Sequence, residues 1–280
     1  MRDFSKDQSA LALNTATLGH NLEGYGAGWS PEQVIDACAA RGYGSIVFWR
    51  RELGTRAFEI GERVHAAGLQ VAGLCRTPYF TGREAGSDDE IRASIDVASE
   101  LGAPILTIVT GGTEPGTLGL EDSRKRLAER VVRHAEHAAQ NNVKLALEPL
   151  NPMFGGNRTC LFTARDALDI CHEVDAPNIG IAIDVYHVWW DRSLPETLKD
   201  ATGRIFGYHL CDWLENTSHM LLDRGMMGDG VADLKALRRS VEDAGYDGPC
   251  EVEIFSANNW WQRPPDEVLD IIVERFRSVC

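Results

Sequence analysis

The chain has 280 residues, a length that one large domain can fill, and its 44% hydrophobic and 25% charged content is an ordinary globular balance. Its net charge of -14 argues against a phosphate-backbone partner, because nucleic-acid binders carry a basic footprint. A small polar substrate is compatible with that charge.

The seven cysteines (38, 75, 160, 171, 211, 250 and 280) are odd in number and form no CxxC pair. This pattern predicts reduced thiols and a cytoplasmic location rather than a disulfide framework. The opening MRDFSKDQSA has no apolar core of a secretory signal, and no run of 18 apolar residues predicts a membrane span.

In chain order, short apolar runs alternate with helical patterns. Strands are expected at 11–15, 45–49, 71–75, 105–110, 143–147, 179–184, 205–209 and 250–255. Runs such as ILTIV and IGIAI have the near-continuous apolar character of parallel strands covered on both faces. Helices are expected at 31–41 behind the N-cap Ser30 and at 87–101, which opens on the capping pattern SDDE. Further helices are expected at 121–141, 163–174, 234–244 and 265–276. Eight strands alternating with helices predict an α/β fold, a single (β/α)8 barrel spanning 1–280, close to the roughly 250 residues usual for such a barrel. No GxGxxG or GxxxxGK[ST] follows a strand, so dinucleotide and nucleotide-phosphate binding lack a motif.

The last four strands each end near an ionisable residue: Glu148, Asp184, His209 and Glu253. In a barrel the parallel strand ends meet on one face, so residues 36, 25 and 44 positions apart would converge there. Any one of them alone is explained well enough as a cap or loop anchor. Four in succession are not, since buried unpaired carboxylates are costly and a shared cation relieves them. Three carboxylates and an imidazole suit Mn2+ as the expected single divalent ion, with Mg2+, Co2+ or Zn2+ as alternatives. Glu251 competes with Glu253 because both face the same side of the strand, but Glu253 lies nearer its C-terminal end. His187, three residues after Asp184, is either a further ligand or a substrate contact; packing against Trp189 or Trp190 is the plain alternative.

KLALEPLNP, NIGIAIDVYHVWWD, RIFGYHLCDW, DRGMMGDG and CEVEIFSANNWW together resemble the xylose isomerase-like barrel superfamily. They look most like inosose isomerases and sugar phosphate isomerase/epimerase-type proteins, with D-tagatose 3-epimerases and hydroxypyruvate isomerases as further relatives. The resemblance is dense from Val143 onward and looser before it. It implies metal ligands at Glu148, Asp184, His209 and Glu253, a substrate-contacting histidine at His187 and an arginine at Arg224. Arg224 is expected to orient substrate oxygens without holding the structure together. One departure is Phe154, at the position where ketose 3-epimerases carry a second substrate-binding glutamate.

With that site, the expected chemistry is proton transfer next to a carbonyl through an enediolate, with Glu148 and Glu253 as acid and base. The substrate would be a sugar- or inositol-derived small molecule. Isomerisation, epimerisation and elimination share the enediolate, so a lyase acting on a keto-inositol, dehydroshikimate or 3-oxo-glycoside is the alternative enzyme. A repair nuclease would need more ligands and a basic groove. A non-catalytic sugar-binding barrel would have no use for a full ligand set. Trp189, Trp260 and His20 are expected at the substrate mouth. A homo-oligomer is compatible with everything above.

Overall fold

Each expected strand is present in the computed structural model, which describes residues 2–117 and 119–280. The strands are β1 (Leu11–Asn14), β2 (Ser45–Trp49), β3 (Gln70–Cys75), β4 (Ile105–Val109), β5 (Lys144–Glu148), β6 (Ile179–Asp184), β7 (Ile205–Leu210) and β8 (Cys250–Val252). They pair in parallel in sequence order, and β8 closes onto β1 through Leu11 opposite Cys250 and Leu13 opposite Val252. The β6–β7 register sets Asp184 beside His209, and the β7–β8 register sets His209 beside Glu251. These pairings put ligand-type side chains at one level of the barrel.

The main helices after the strands are α1 (Pro31–Ala40), α2 (Ala57–Ala66), α3 (Asp88–Leu101), α4 (Glu121–Gln140), α5 (Ala164–Val174), α6 (Leu194–Asp200), α7 (Leu234–Asp243) and α8 (Pro265–Ser278). Capping boxes start three of them, where Ser30, Ser87 and Thr163 exchange bonds with Gln33, Glu90 and Asp166. One face of α4, carrying Leu127, Val131, His134 and Ala138, is buried. Two helices had no sequence expectation. In α2, Gly61 interrupts the apolar pattern because a Cβ there would lie 2.4 Å from the Leu101 carbonyl oxygen at the end of α3. Helix α6 is only 7 residues long, too short for a periodic signal. All seven cysteines are free and buried. No helix of the described residues is long and apolar enough to cross a membrane.

One buried cation fastens α4 to the loop after β3. Arg130 is 4% exposed and donates to the carbonyls of Phe80 (2.8 Å) and Gly86 (2.7 Å) and to Asp88 (2.9 Å). Arg133 reaches the same Asp88 from an exposed position. Arg130→Met leaves two carbonyls without donors and should lower unfolding free energy by about 2–4 kcal/mol, whereas Arg133→Met should cost under about 0.5 kcal/mol. Chemical denaturation of both variants checks this; equal costs would contradict the clamp.

Candidate metal centre and active site

The ends of β5 to β8 bring Glu148, Asp184, His209 and Glu253 together, with one ligand atom from each within 4.8 Å of all the others. None is more than 5% exposed. Glu253 lies just past β8, where its amide extends the ladder by donating to the Leu210 carbonyl (3.0 Å).

The donor atoms fit a cation. His209 Nδ1 lies 2.9 Å from Glu148 Oε1, and both atoms are buried without a satisfied hydrogen bond. The other ring nitrogen, Nε2, faces Glu251 Oε2 at 3.4 Å. With an ion bound, a proton kept on Nε2 would leave the Nδ1 lone pair to it, the arrangement typical of a metal-ligating histidine with a carboxylate behind it. Asn14, at the end of β1, supports that layer. Its Nδ2 donates to Glu251 and, at 3.0 Å, to Glu253, and its Oδ1 accepts from Trp49 Nε1 at 2.8 Å. Glu251 therefore stands behind His209, and Glu253 is the one of the pair that falls in the cluster with Glu148, Asp184 and His209.

Arg224 corrects one expectation. It is 2% exposed rather than a loop residue free of structural duty. Its Nη1 reaches Asp184 Oδ2 at 2.9 Å and Glu253 Oε2 at 3.2 Å, and its guanidinium lies between the rings of Tyr186 (4.5 Å) and Phe255 (4.4 Å). The segment DRGMMGDG folds inward because Asp212 accepts from the amides of Gly228, Gly230 and Ala232. Arg224 is thus a buried counter-charge to the cluster as well as part of the cavity wall.

Burial and charge set the protonation pattern. Burial works against the Asp184 charge, but Arg224, His187 and His209 hold its carboxyl below the usual range. Burial, with Glu148 nearby, pushes Glu253 up to about 8 against the pull of Arg224. Burial likewise raises Glu251. His209 is raised: burial opposes its charge, and the Glu251 and Glu148 carboxylates outweigh that. Burial takes His187 down to about 4, so it is neutral near pH 7. Its Nδ1 accepts from the Asn151 amide (3.1 Å), which puts the proton on Nε2, 3.6 Å from Asp184 Oδ2.

A cavity beside the cluster is lined by Glu148, His187, Arg224 and Glu253, by Trp49, Phe154 and Phe255, and by two arginines, Arg76 and Arg158. Its free space is about 30 Å³, far below the roughly 300 Å³ or more of a ligand pocket. Entry of a sugar-sized molecule therefore requires the covering side chains, Phe154 and Leu221 among them, to move. A larger cavity of about 500 Å³ lies at the opposite end of the barrel, lined by Gln70, Lys144 and Gly203 near strand starts. The smaller one is the candidate site because Glu148 and Glu253 of the cluster line it together with His187 and Arg224, whereas of the four cluster residues only His209 lines the larger one.

Three residues expected at the mouth lie outside this lining. His20 is engaged by Glu52 (2.8 Å) and borders a separate cavity with Tyr25 and Trp29. Trp189 packs on Trp213, and Trp260 lies under the Arg263 guanidinium. Sequence reasoning overlooked Asn14, Arg76 and Arg158. Asn14 ends β1 and Arg76 follows β3, so strand-end position, applied to all eight strands rather than the last four, would have found both.

Comparison with known proteins bears on the fold and the family. Residues 35–278 match the family model described as xylose isomerase-like TIM barrel. The ketose 3-epimerase of Arthrobacter globiformis is 28% identical over 61% of the chain and 56% of its own length. The inosose isomerase of Bacillus velezensis is 29% identical over 59% of each. The chain thus matches well under two thirds of the length of these relatives. A solved Sinorhizobium meliloti 1021 protein superposes with a TM-score of 0.90 at 41% identity, covering 98% of this chain and 99% of that one. With a closed eight-stranded barrel and a family match over most of its length, the chain belongs to the xylose isomerase-like TIM barrel family.

Proposed function

We propose that this protein is a divalent-metal-dependent isomerase or epimerase of a sugar- or inositol-derived keto substrate. The observation that carries the reading is the buried meeting of Glu148, Asp184, His209 and Glu253, with two donor atoms facing each other unsatisfied. Isomerase and epimerase relatives support it. These four residues would hold one ion, Mn2+ by donor preference. Bound there, the ion supplies Lewis acidity that acidifies the C–H beside a carbonyl and stabilises the developing negative oxygen.

The chain's own groups supply the rest. Glu148 and Glu253 come from β5 and the end of β8, so one carboxylate oxygen takes the proton and the other carboxyl returns one. Return to the same carbon epimerises; return to the neighbouring carbon isomerises. Neutral His187, with its proton on Nε2, donates to a substrate oxygen. Arg224 keeps Asp184 ionised and fixes Glu253. Phe154 lines the cavity edge-on to His187, at 5.7 Å between ring centres, in place of an acidic substrate contact. That apolar contact favours the second reading, a lyase acting through the same proton removal.

Titration with MnCl2 should show one ion per chain and raise the melting temperature. Saturation at 100 times Kd is worth about 2.7 kcal/mol. Asp184→Asn should abolish the rise, and a rise that survived the substitution would place the ion elsewhere. In D2O, the metal-loaded protein should exchange a substrate C–H for deuterium. Glu148→Gln and Glu253→Gln variants that keep their metal should lose roughly 10²–10⁴-fold of that rate. Near-normal exchange in either variant would make that residue a ligand only.

The metal-free protein has its own pH signature. Folded Glu253 keeps its proton up to about pH 8, whereas the unfolded chain loses it near 4.5, so folding binds the extra proton between those values. This contribution to stability is therefore full below 4.5 and lost as pH rises through 8. Denaturation of chelator-treated protein at pH 5 and pH 9 should show the loss, and Glu253→Gln should flatten it; an unchanged slope in the variant would assign the loss to other groups.

A further inference from the structure

Buried guanidinium groups in this protein come with partners. Arg224 has Asp184 and Glu253, and Arg130 has Asp88 and two carbonyls. Two half-buried arginines on the cavity wall lack such carboxylate partners. Among the described residues, neither Arg76 nor Arg158 has a carboxylate within ion-pair distance. Arg76 donates to the adjacent Thr77 carbonyl (3.1 Å) and lies over the Tyr79 ring at 4.3 Å. Arg158 lies 5.7 Å from the Phe154 ring, and its Nε is buried with no partner. Burial disfavours the Arg76 charge; Tyr79 and the Glu148 carboxylate favour it, and Arg158 opposes it. Arg50, at the end of β2, adds a third positive charge felt by Arg76.

Holding like charges together on a part-buried wall is unfavourable unless something negative completes them. The barrel topology says where that something sits. Arg76 follows β3, and in an eight-stranded closed barrel β3 stands across from β7, which carries His209. Arg158 lies in the loop after β5, beside Phe154. A keto group at the metal cluster therefore belongs to a molecule whose far end meets the two arginines. Planar guanidinium forks match the oxygens of a carboxylate or phosphate, and no neutral hydroxyl would offset two cations as well.

We propose that Arg76 and Arg158 form an anion subsite, so that the substrate is a keto-sugar or cyclic polyol derivative bearing an anionic group at the end remote from its carbonyl. The proposal rests on the metal-centred reading for the substrate's orientation. It also gives the acidic chain, with a net charge of -14, a local positive patch at its candidate site.

The test uses three probes that differ only at the carbon remote from the ketone: D-fructose, D-fructose 6-phosphate and D-fructuronate. Binding to Mn2+-loaded and to chelator-treated protein is measured by calorimetry. At least one anionic probe should bind the loaded protein roughly tenfold or more tighter than fructose, and which one does so distinguishes phosphate from carboxylate. Arg76→Gln and Arg158→Gln should each erase most of that preference with metal content unchanged. Their melting temperatures should hold or rise, because an unpaired charge is removed; a fall would mark the arginines as packing elements and overturn the subsite. Equal or undetectable binding of all three probes, or a preference that survives both substitutions, would also overturn it. Metal content and metal-induced stabilisation are read in the same samples. Absence of any anion preference in the unsubstituted protein with intact metal binding refutes the subsite alone, and an Arg-dependent preference with no metal binding refutes the metal reading alone.

Discussion

Four carboxylates, Glu148, Asp184, Glu251 and Glu253, are held at one end of the barrel, each no more than 8% exposed. Around them the structure gathers one arginine and two histidines, and of these His187 is neutral near pH 7. Such a concentration of negative charge out of water is unfavourable, and most of the local architecture works to contain it. Arg224 is drawn in from its loop to two of the carboxylates, Asn14 bridges two, and His209 is wedged among three. Glu253 is raised toward neutrality because these measures do not fully balance it. A divalent cation would complete that balance, and this is why the cluster is a candidate metal centre.

The layers around the cluster follow from the same need. Glu251 faces one nitrogen of His209 and so would leave the other free for an ion. Trp49 and the Ala16 amide fix the Asn14 oxygen, so its amide nitrogen must face the glutamates. Tyr186 and Phe255 cover the Arg224 guanidinium, which keeps the pair with Asp184 away from water. On the far side of the same cavity the charge changes sign, with Arg76 and Arg158 uncompensated. A substrate bridging the two would be polarised at one end and anchored at the other, which is how remote binding energy becomes orientation at the reacting carbon.

Much of this was legible in the sequence. The strands announced themselves as apolar runs, and the four cluster residues as ionisable residues ending four of those runs in succession; parallel pairing in chain order does the rest. Arg224 was legible as a residue but not in its role, because a Gly-rich loop gives no sign that it will be pulled inward until Asp212 and the carboxylate cluster are placed. Trp189, Trp260 and His20 looked like mouth residues because they follow strand ends, yet Trp213, Arg263 and Glu52 engage them elsewhere. Arg76 and Arg158 carry no motif. Their significance lies in having no partner, a property of the fold and not of local sequence.

The central claim, that the carboxylate cluster is a metal site, is tested most directly by anomalous diffraction at the manganese edge from crystals grown with MnCl2. The account predicts one strong peak per chain, within bonding distance of Glu148, Asp184, His209 Nδ1 and Glu253. A strong peak elsewhere with none at the cluster, or bonding through His209 Nε2, would contradict it.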